Sequence, residues 1–254
     1  MPRQLNVFPL PQDFEPDDLR GGIAVVIDVL RASTTMVTAL ANGARSVIPC
    51  GDVETARQIA AGYPPGEVLL GGERRGVRIE GFHLDNSPAA YSLERVLGKT
   101  IVFTTTNGTA ALLRSRAADR VLIGCLLNRR AVVRELAAAD RPVHLVCAGT
   151  DGIFTNEDFL AAGAIAAELS AGAGEPLECN AHADFASNLW NAPEFWTAGT
   201  FSREHLRSEL RQSHGGSNLV ELGFDADIDF AAQLDCIDLV GQFFPKTADV
   251  RPVR

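Results

Sequence analysis

Two apolar segments of the chain run directly into residues whose side chains could hold a phosphate group. The segment at residues 23–27 is followed by Asp28, Arg31, Ser33, Thr34 and Thr35. The segment at residues 100–104 is followed by Thr105, Thr106, Asn107, Gly108 and Thr109. Each run then leads into an Ala/Leu/Val-rich stretch, which predicts a strand, a polar loop and a helix N-terminus. Because free N–H groups and the helix dipole favour an anion there, we interpret the two loops as a phosphate-ester site.

Helix capping is the simpler explanation of hydroxyl groups at these positions, because Ser and Thr cap helices in most proteins. One cap needs one oxygen, whereas residues 104–106 supply three hydroxyls. The first loop also carries Asp28 and Arg31, which capping does not require. The two loops together therefore favour ligand binding.

The loops belong to two stretches of similar pattern, near residues 21–61 and 98–138. A shift of the chain by 75 positions (109 − 34) superimposes Thr34 on Thr109, Arg45 on Arg120, and Cys50 on Cys125. We predict an α/β fold: a layered sheet flanked by helices, built from two similar β-α-β-α units with an additional C-terminal α/β segment. The two loops are expected at the same edge of the shared sheet. The whole of residues 1–254 is predicted to form a single domain.

Composition limits the functions that the chain could have. Hydrophobic residues make up 46% and charged residues 22% of the 254 residues, which is ordinary for a globular protein. No apolar run approaches the roughly 18 residues of a membrane span, and residues 1–14 lack the apolar core of a secretory signal. The five cysteines form no C-x-x-C pair, which is typical of a reducing compartment. We therefore expect a cytoplasmic protein that does not bind membranes, and composition leaves a homodimer open.

The net charge of −9 argues against nucleic-acid binding, because no basic stripe offsets it. The same charge would repel an anionic substrate unless arginines or a divalent cation compensate it locally. Asp28, Glu73 and the pair Glu157 and Asp158 all lie after predicted strands or at a helix opening. Oxygen ligands without a histidine cluster favour Mg²⁺. Capping by the acidic pair is the structural alternative.

The chain resembles the 2-phosphosulfolactate phosphatase family over about residues 20–245. The resemblance is carried by DVLRASTT (28–35), GGER (71–74), GFHLDNSP (81–88), TTTNGT (104–109), AG (148–149), ED (157–158), AG (162–163), SHG (213–215) and residues 223–228. It implies a Mg²⁺-dependent phosphatase that forms sulfolactate on the way to coenzyme M, and a fold other than the standard Rossmann arrangement. Where the family usually has GFDLGNSP, this chain has His83 and Asp85. The carboxylate of Asp85 would repel an acidic substrate tail if this loop touched it.

These observations lead to a hypothesis for each site residue. Asp28, Arg31 and Glu73 are the predicted catalytic residues, and Asp28, Glu73 and Asp158 the predicted Mg²⁺ ligands. The predicted substrate-binding residues are Ser33, Thr34, Arg74, Asn86, Ser87, Thr105, Thr106, Asn107, Gly108 and Thr109. Arg31 would form two parallel hydrogen bonds to the phosphate oxygens, and Arg74 would bind the carboxylate or sulfonate end of the substrate.

The attacking group is left open between the carboxylate of Asp28 and a metal-positioned water. Leu30 occupies the place of the second acid of the Asp-x-Asp motif in haloacid-dehalogenase-like phosphatases, which favours the water. The Cys-x₅-Arg signature of cysteine phosphatases is absent, so Cys147 is assigned to packing. A non-catalytic sensor of a phosphorylated acid is the main competing function. A kinase is disfavoured because no G-x-x-x-x-G-K-[ST] loop occurs. The aromatic segment around Trp190 and Trp196 could be core, lid or subunit contact, with core favoured.

Overall fold

The computed structural model describes residues 2–197 and 199–253, in which strands and helices alternate along most of the chain. The strands are β1 (Gln4–Phe8), β2 (Ile23–Ile27), β3 (Ser46–Pro49), β4 (Val68–Arg74), β5 (Val77–Arg78), β6 (Thr100–Thr104), β7 (Arg120–Gly124), β8 (Val143–Cys147), β9 (Glu178–Cys179), β10 (Trp196–Thr197), β11 (Thr200–Phe201), β12 (Gly241–Phe244) and β13 (Asp249–Pro252). The helices are α1 (Ala32–Ala41), α2 (Val53–Ala61), α3 (Leu93–Val96), α4 (Gly108–Arg114), α5 (Arg129–Ala137), α6 (Asn156–Gly172), α7 (Ala181–Trp190), α8 (Arg203–Gln212), α9 (His214–Glu221) and α10 (Asp225–Ala231). The prediction of an α/β fold is confirmed.

Within the described residues, eleven strands form one mixed sheet in the order β5-β4-β6-β3-β13-β12-β7-β2-β8-β1-β9. Strands β4, β6 and β3 form one parallel block, and β7, β2, β8, β1 and β9 form another. The hairpin β12–β13 joins the blocks through antiparallel pairings with β7 and β3. The C-terminal segment therefore enters the middle of the sheet, between the two blocks.

Both predicted units have the expected order of elements, β2-α1-β3-α2 and β6-α4-β7-α5. Their strands interleave, because β2 pairs with β7 and β3 pairs with β6. The three antiparallel pairings between β7 and β3 give the two blocks opposite directions in the sheet. The polar loops nevertheless meet: a Cβ atom added to Gly108 would lie 2.5 Å from Oδ2 of Asp28 and 2.6 Å from Cβ of Ala32.

Strand β2 lies at the centre of the second block and is buried on both faces. Ile23, Val25 and Ile27 enter the apolar core that includes α6, whereas Ala24 and Val26 enter the core that includes α1. This division follows from the two-residue period of a strand, and it explains why β2 is a continuous apolar run. Asp28, the residue after β2, is thereby held on a rigid element.

The aromatic segment near residue 190 contributes mainly to the core. Trp190 is 3% exposed and stacks on Phe195 and Phe201. Trp196 is 38% exposed, and its indole N–H donates to the carbonyl of Trp190. Among the residues that the structure describes, no helix has the length and apolar character needed to span a bilayer.

Candidate active site

A cavity of about 350 Å³ lies where the two polar loops meet. Seven of the residues predicted for the site line it: Asp28, Arg31, Glu73, Asn86, Thr105, Thr106 and Asn107. The turn after β4, the loop after β8 and helix α9 complete the wall. The cavity therefore draws on segments distributed through the chain, which only the tertiary fold brings together.

Asp28 is fixed at the end of β2 by the start of α1. Its Oδ1 accepts a hydrogen bond from the N–H of Ala32 at 3.0 Å, and its own N–H donates to Oγ of Ser33 at 3.0 Å. The pKa of Asp28 is raised to about 6, mainly by burial and in part by the charge of Glu73. The N–H groups of Ala32 and Gly108 and the charge of Arg31 favour the ionised form. Burial therefore disfavours the ionised form of Asp28, and few hydrogen bonds within the protein compensate its charge.

Glu73 ties the turn after β4 to the second polar loop. Its Oε1 accepts hydrogen bonds from the N–H of Thr106 at 2.8 Å and from the hydroxyl of Thr106 at 3.0 Å. Its Oε2 accepts from the N–H of Gly76 at 2.7 Å. The carboxylate is 7% exposed, so the loss of these three bonds would loosen both loops at the cavity.

Arg31 is held by a carboxylate that the sequence hypothesis did not include, Asp227 at the start of α10. Nη1 of Arg31 lies 2.7 Å from Oδ2 of Asp227, and both side chains are at most 5% exposed. Nη2 donates to the carbonyl of Gly76 at 2.9 Å, and the guanidinium lies 4.3 Å from the ring centroid of Phe224. The other oxygen of Asp227 accepts from the hydroxyl of Ser87 at 2.6 Å. Segment 223–228 carried part of the family resemblance, which was the available signal for Asp227.

Several predicted binding residues lie outside the cavity wall. The hydroxyls of Ser33 and Thr34 are fully buried and donate to the carbonyls of Val26 and Val29. The hydroxyl of Thr109 accepts from the N–H of Thr105 at 3.1 Å. These three side chains stabilise the loops, as the capping explanation expected.

The charged residues Arg74 and Asp85, which were predicted to face the substrate, contact other parts of the protein. Nη1 of Arg74 donates to the carbonyl of Glu73 and Nη2 to the hydroxyl of Thr104, and it is the next residue, Arg75, that lines the cavity. Oδ1 of Asp85 accepts from the N–H of Ser87 at 2.8 Å, and neither His83 nor Asp85 belongs to the wall. The position of Asp85 therefore gives no support to the expected repulsion of a substrate tail.

Asp158 joins two loops behind the cavity. Its oxygens accept hydrogen bonds from the N–H of Val29 at 2.8 Å and of Gly149 at 3.0 Å. Burial, with the charges of Glu157 and Asp28, raises the pKa of Asp158 well above its usual range. Of the three predicted metal ligands, only Asp28 and Glu73 line the cavity.

Within residues 2–197 and 199–253, no group of three or more His, Cys, Asp or Glu side chains is arranged to hold a metal ion. Mg²⁺ does not need such a cage, because it commonly binds one or two carboxylates and takes its other ligands from water and substrate phosphate. Asp28 and Glu73 offer two carboxylates to the cavity, and Asn86 adds a buried amide oxygen that has no hydrogen-bond partner among the described residues. This oxygen-only donor set fits Mg²⁺.

Comparison with known proteins gives a consistent result. The family model described as 2-phosphosulpholactate phosphatase matches residues 8–244. A protein of Symbiobacterium thermophilum named probable 2-phosphosulfolactate phosphatase is 46% identical over 227 residues, which cover 89% of this chain and 93% of that protein. The chain belongs to the 2-phosphosulfolactate phosphatase family. Proteins with the same name from Prochlorococcus marinus (43% over 235 residues; 91% and 90% of the two chains) and Caldanaerobacter subterraneus (40% over 223 residues; 88% of each chain) are also similar.

In this member of the 2-phosphosulfolactate phosphatase family, a second carboxyl group with a raised pKa, that of Glu157, lies behind the wall of the cavity. Glu157 is 1% exposed, and in the part of the chain that the structure describes its Oε2 has no hydrogen-bond partner. A Cβ atom added to Gly215, a wall residue, would lie 2.3 Å from Oε1 of Glu157. Burial raises the pKa of Glu157 to about 7, and the charge of Asp28 contributes to the shift. The two residues of the predicted acidic pair therefore lie in different places. Glu157 lies next to the cavity wall, and Asp158 binds the backbone of the two loops behind it.

The pKa of Asp28 leads to a prediction for stability without metal. Between about pH 4 and pH 6 the unfolded chain has lost this proton and the folded chain retains it, so stability falls as pH rises through that window. A shift from 3.8 to about 6 corresponds to about 3 kcal/mol above pH 6. We therefore expect Asp28→Asn to have nearly the wild-type free energy of unfolding at pH 4 and to gain about 3 kcal/mol over wild type at pH 7.

Urea unfolding in EDTA, carried out on both proteins across this pH range, measures the effect. The difference between the two proteins reports the titration of Asp28 together with the effect of its charge on the pKa values of Glu157 and Asp158. A stability difference that is constant with pH, or that favours wild type increasingly as pH rises, would contradict the raised pKa.

Proposed function

We propose that the chain is a cytoplasmic, Mg²⁺-dependent phosphatase that hydrolyses the phosphate monoester of a 2-hydroxy acid, foremost 2-phosphosulfolactate, to sulfolactate and phosphate. The observation that carries this proposal is the position of Asp28 and Glu73 on one wall of a cavity that hydroxyl groups also line. The names of the relatives support the choice of substrate. The likeness of the segments around residues 28–35 and 104–109 to that family supports the link to coenzyme M formation.

The charges of the wall support a requirement for a divalent cation. The wall contains four carboxylates, from Asp28, Glu73, Asp151 and Glu221, and two guanidinium groups, from Arg31 and Arg75. A dianionic phosphate ester entering such a site meets a surplus of negative charge. Mg²⁺, held by Asp28 and Glu73 with the amide oxygen of Asn86 nearby, would supply positive charge to the phosphate oxygens.

The protein groups then bind and orient the ester. The hydroxyl of Thr105 and the amide of Asn107 are neutral polar groups of the wall that would receive the phosphate oxygens, whereas the hydroxyl of Thr106 donates to Glu73. Arg31 adds positive charge from a guanidinium that Asp227 and Gly76 hold in one orientation. We propose attack by water at phosphorus, because Leu30 stands on the wall where an aspartyl mechanism of the Asp-x-Asp type would need its second carboxyl.

A sensor of a phosphorylated acid would need the hydroxyls and arginines of the wall. It would not need two carboxylates facing a dianion, because each carboxylate weakens anion binding. The presence of Asp28 and Glu73 on the wall therefore favours hydrolysis over binding alone.

We expect purified protein to release phosphate from 2-phosphosulfolactate when Mg²⁺ is present. Chelation with EDTA should lower the rate at least a hundredfold, and added Mg²⁺ should restore it, because the acidic wall is otherwise uncompensated. A colorimetric phosphate assay over 2-phosphosulfolactate, 2-phospholactate and phosphoglycolate measures this. Thermal stabilisation by these compounds with no phosphate release from any of them would support the sensor. Undiminished release in EDTA would contradict the metal requirement.

A further inference from the structure

The two arginines on the cavity wall are in different electrostatic situations. Arg31 forms a buried ion pair with Asp227. Arg75 is exposed, and among the residues that the structure describes its side chain takes part in no ion pair or hydrogen bond. Arg75 is therefore the guanidinium of the wall whose charge no protein carboxylate neutralises.

The backbone holds Arg75 at the mouth of the cavity. Arg75 and Gly76 form the two-residue turn between Arg74 and Val77, and both have positive φ angles, of 54° and 75°. A non-glycine residue rarely adopts this conformation. Two wall residues fix the turn from inside: Glu73 accepts from the N–H of Gly76, and Arg31 donates to its carbonyl. The groups proposed to act on the phosphate thus also determine the position of residue 75.

The chemistry of the proposed substrate supplies a role for this cation. A 2-phosphorylated hydroxy acid carries a carboxylate or sulfonate one or two bonds from the carbon that bears the phosphate. Arg74, the sequence candidate for this end, bonds to the carbonyl of Glu73 and the hydroxyl of Thr104. We infer that Arg75 is the specificity-determining residue that binds the acid group of the substrate, an inference that rests on the proposed phosphatase function. A planar guanidinium can form two parallel hydrogen bonds to a carboxylate or sulfonate.

Substituting Arg75 by methionine tests this assignment on a graded set of esters. The set consists of 2-phosphosulfolactate, 2-phospholactate and isopropyl phosphate, which carry two, one and no acid groups beside the same secondary phosphate. Arg75→Met should lower kcat/KM for 2-phosphosulfolactate about tenfold to a hundredfold, mainly through KM, and leave isopropyl phosphate within about twofold. Arg75→Lys should recover part of the loss. The matched control is Arg78→Met, because Arg78 is an exposed arginine of the same hairpin outside the cavity wall.

The results separate this inference from the function on which it rests. Wild-type protein that hydrolyses none of the three esters would remove the proposed function itself. With an active wild type, an equal loss on all three esters would show that Arg75 only maintains the turn, and an unchanged kcat/KM for 2-phosphosulfolactate would show that it does not touch the substrate. Either of these results would overturn the assignment. The greatest loss on 2-phosphosulfolactate, with Arg78→Met unchanged, is the expected result.

Discussion

Replacing Asp28 by asparagine is expected to lower kcat for phosphate release at least about a thousandfold, equivalent to roughly 4 kcal/mol of transition-state stabilisation. Asparagine keeps the size of the side chain and can still accept the hydrogen bond from Ala32. It removes the negative charge with which Asp28, together with Glu73, would hold Mg²⁺. Steady-state phosphate release from 2-phosphosulfolactate at saturating Mg²⁺ measures the effect.

The matched control is Asp151→Asn. Asp151 is an exposed wall residue with a φ angle of 53°, a conformation that asparagine tolerates. We expect this control to stay within about threefold of wild type, because Asp151 faces solvent and is not one of the proposed metal ligands. If folded Asp28→Asn retains the wild-type rate, Asp28 has no part in the reaction.

The second large effect concerns stability. Arg31→Met is expected to destabilise the protein by about 3–5 kcal/mol at pH 7, because it leaves the carboxylate of Asp227 buried without its charged partner. It also removes the hydrogen bond from Arg31 to Gly76 that helps to hold the turn. The free energy of unfolding in urea measures the loss.

The double variant Arg31→Met/Asp227→Leu separates the charge effect from the packing effect. It removes both charges, so we expect it to be less destabilised than Arg31→Met alone. Additive losses in the two single variants and the double variant would mean that the pair contributes no coupling, which would contradict the structural role given to it here.

Local patterns in the sequence were sufficient to indicate several residues that line one cavity. The two apolar segments that lead into polar loops form the predicted strands, β2 and β6, and each loop is followed by the predicted helix. Asp28, Glu73 and Thr106 line one cavity. Asp28 and Thr106 lie just after β2 and β6, and Glu73 is the second-last residue of β4. The identity of such residues is therefore readable from the chain.

Side-chain direction was not readable in the same way. Arg75 lines the cavity in place of the predicted Arg74 because of a two-residue turn with two positive φ angles. The sequence Arg-Arg-Gly does not specify which arginine faces the cavity. Ser33 and Thr34 turn inward because their hydroxyls donate to the carbonyls of Val26 in β2 and of Val29 just after it. In such cases tertiary contacts decide the direction of a side chain.

Long-range pairings were the other limit. Asp227 and Arg31 are 196 positions apart in the chain, and no local sequence pattern predicts their contact. The insertion of β12 and β13 between the two parallel blocks is also invisible to local periodicity, since a strand pattern does not name its neighbours. The order of the elements agrees with the predicted pattern, but the pairing of β2 with β7 and of β3 with β6 does not confirm a layout of two units.

The most direct test of the account is ³¹P NMR of 2-phosphosulfolactate incubated with the protein and Mg²⁺ in ¹⁸O-labelled water. We predict that the ester signal converts over many turnovers to inorganic phosphate carrying one ¹⁸O atom, because water attacks phosphorus in the cavity of Asp28 and Glu73. An ester signal that persists while the protein demonstrably binds the compound would contradict hydrolysis. Phosphate formed without ¹⁸O would contradict attack at phosphorus.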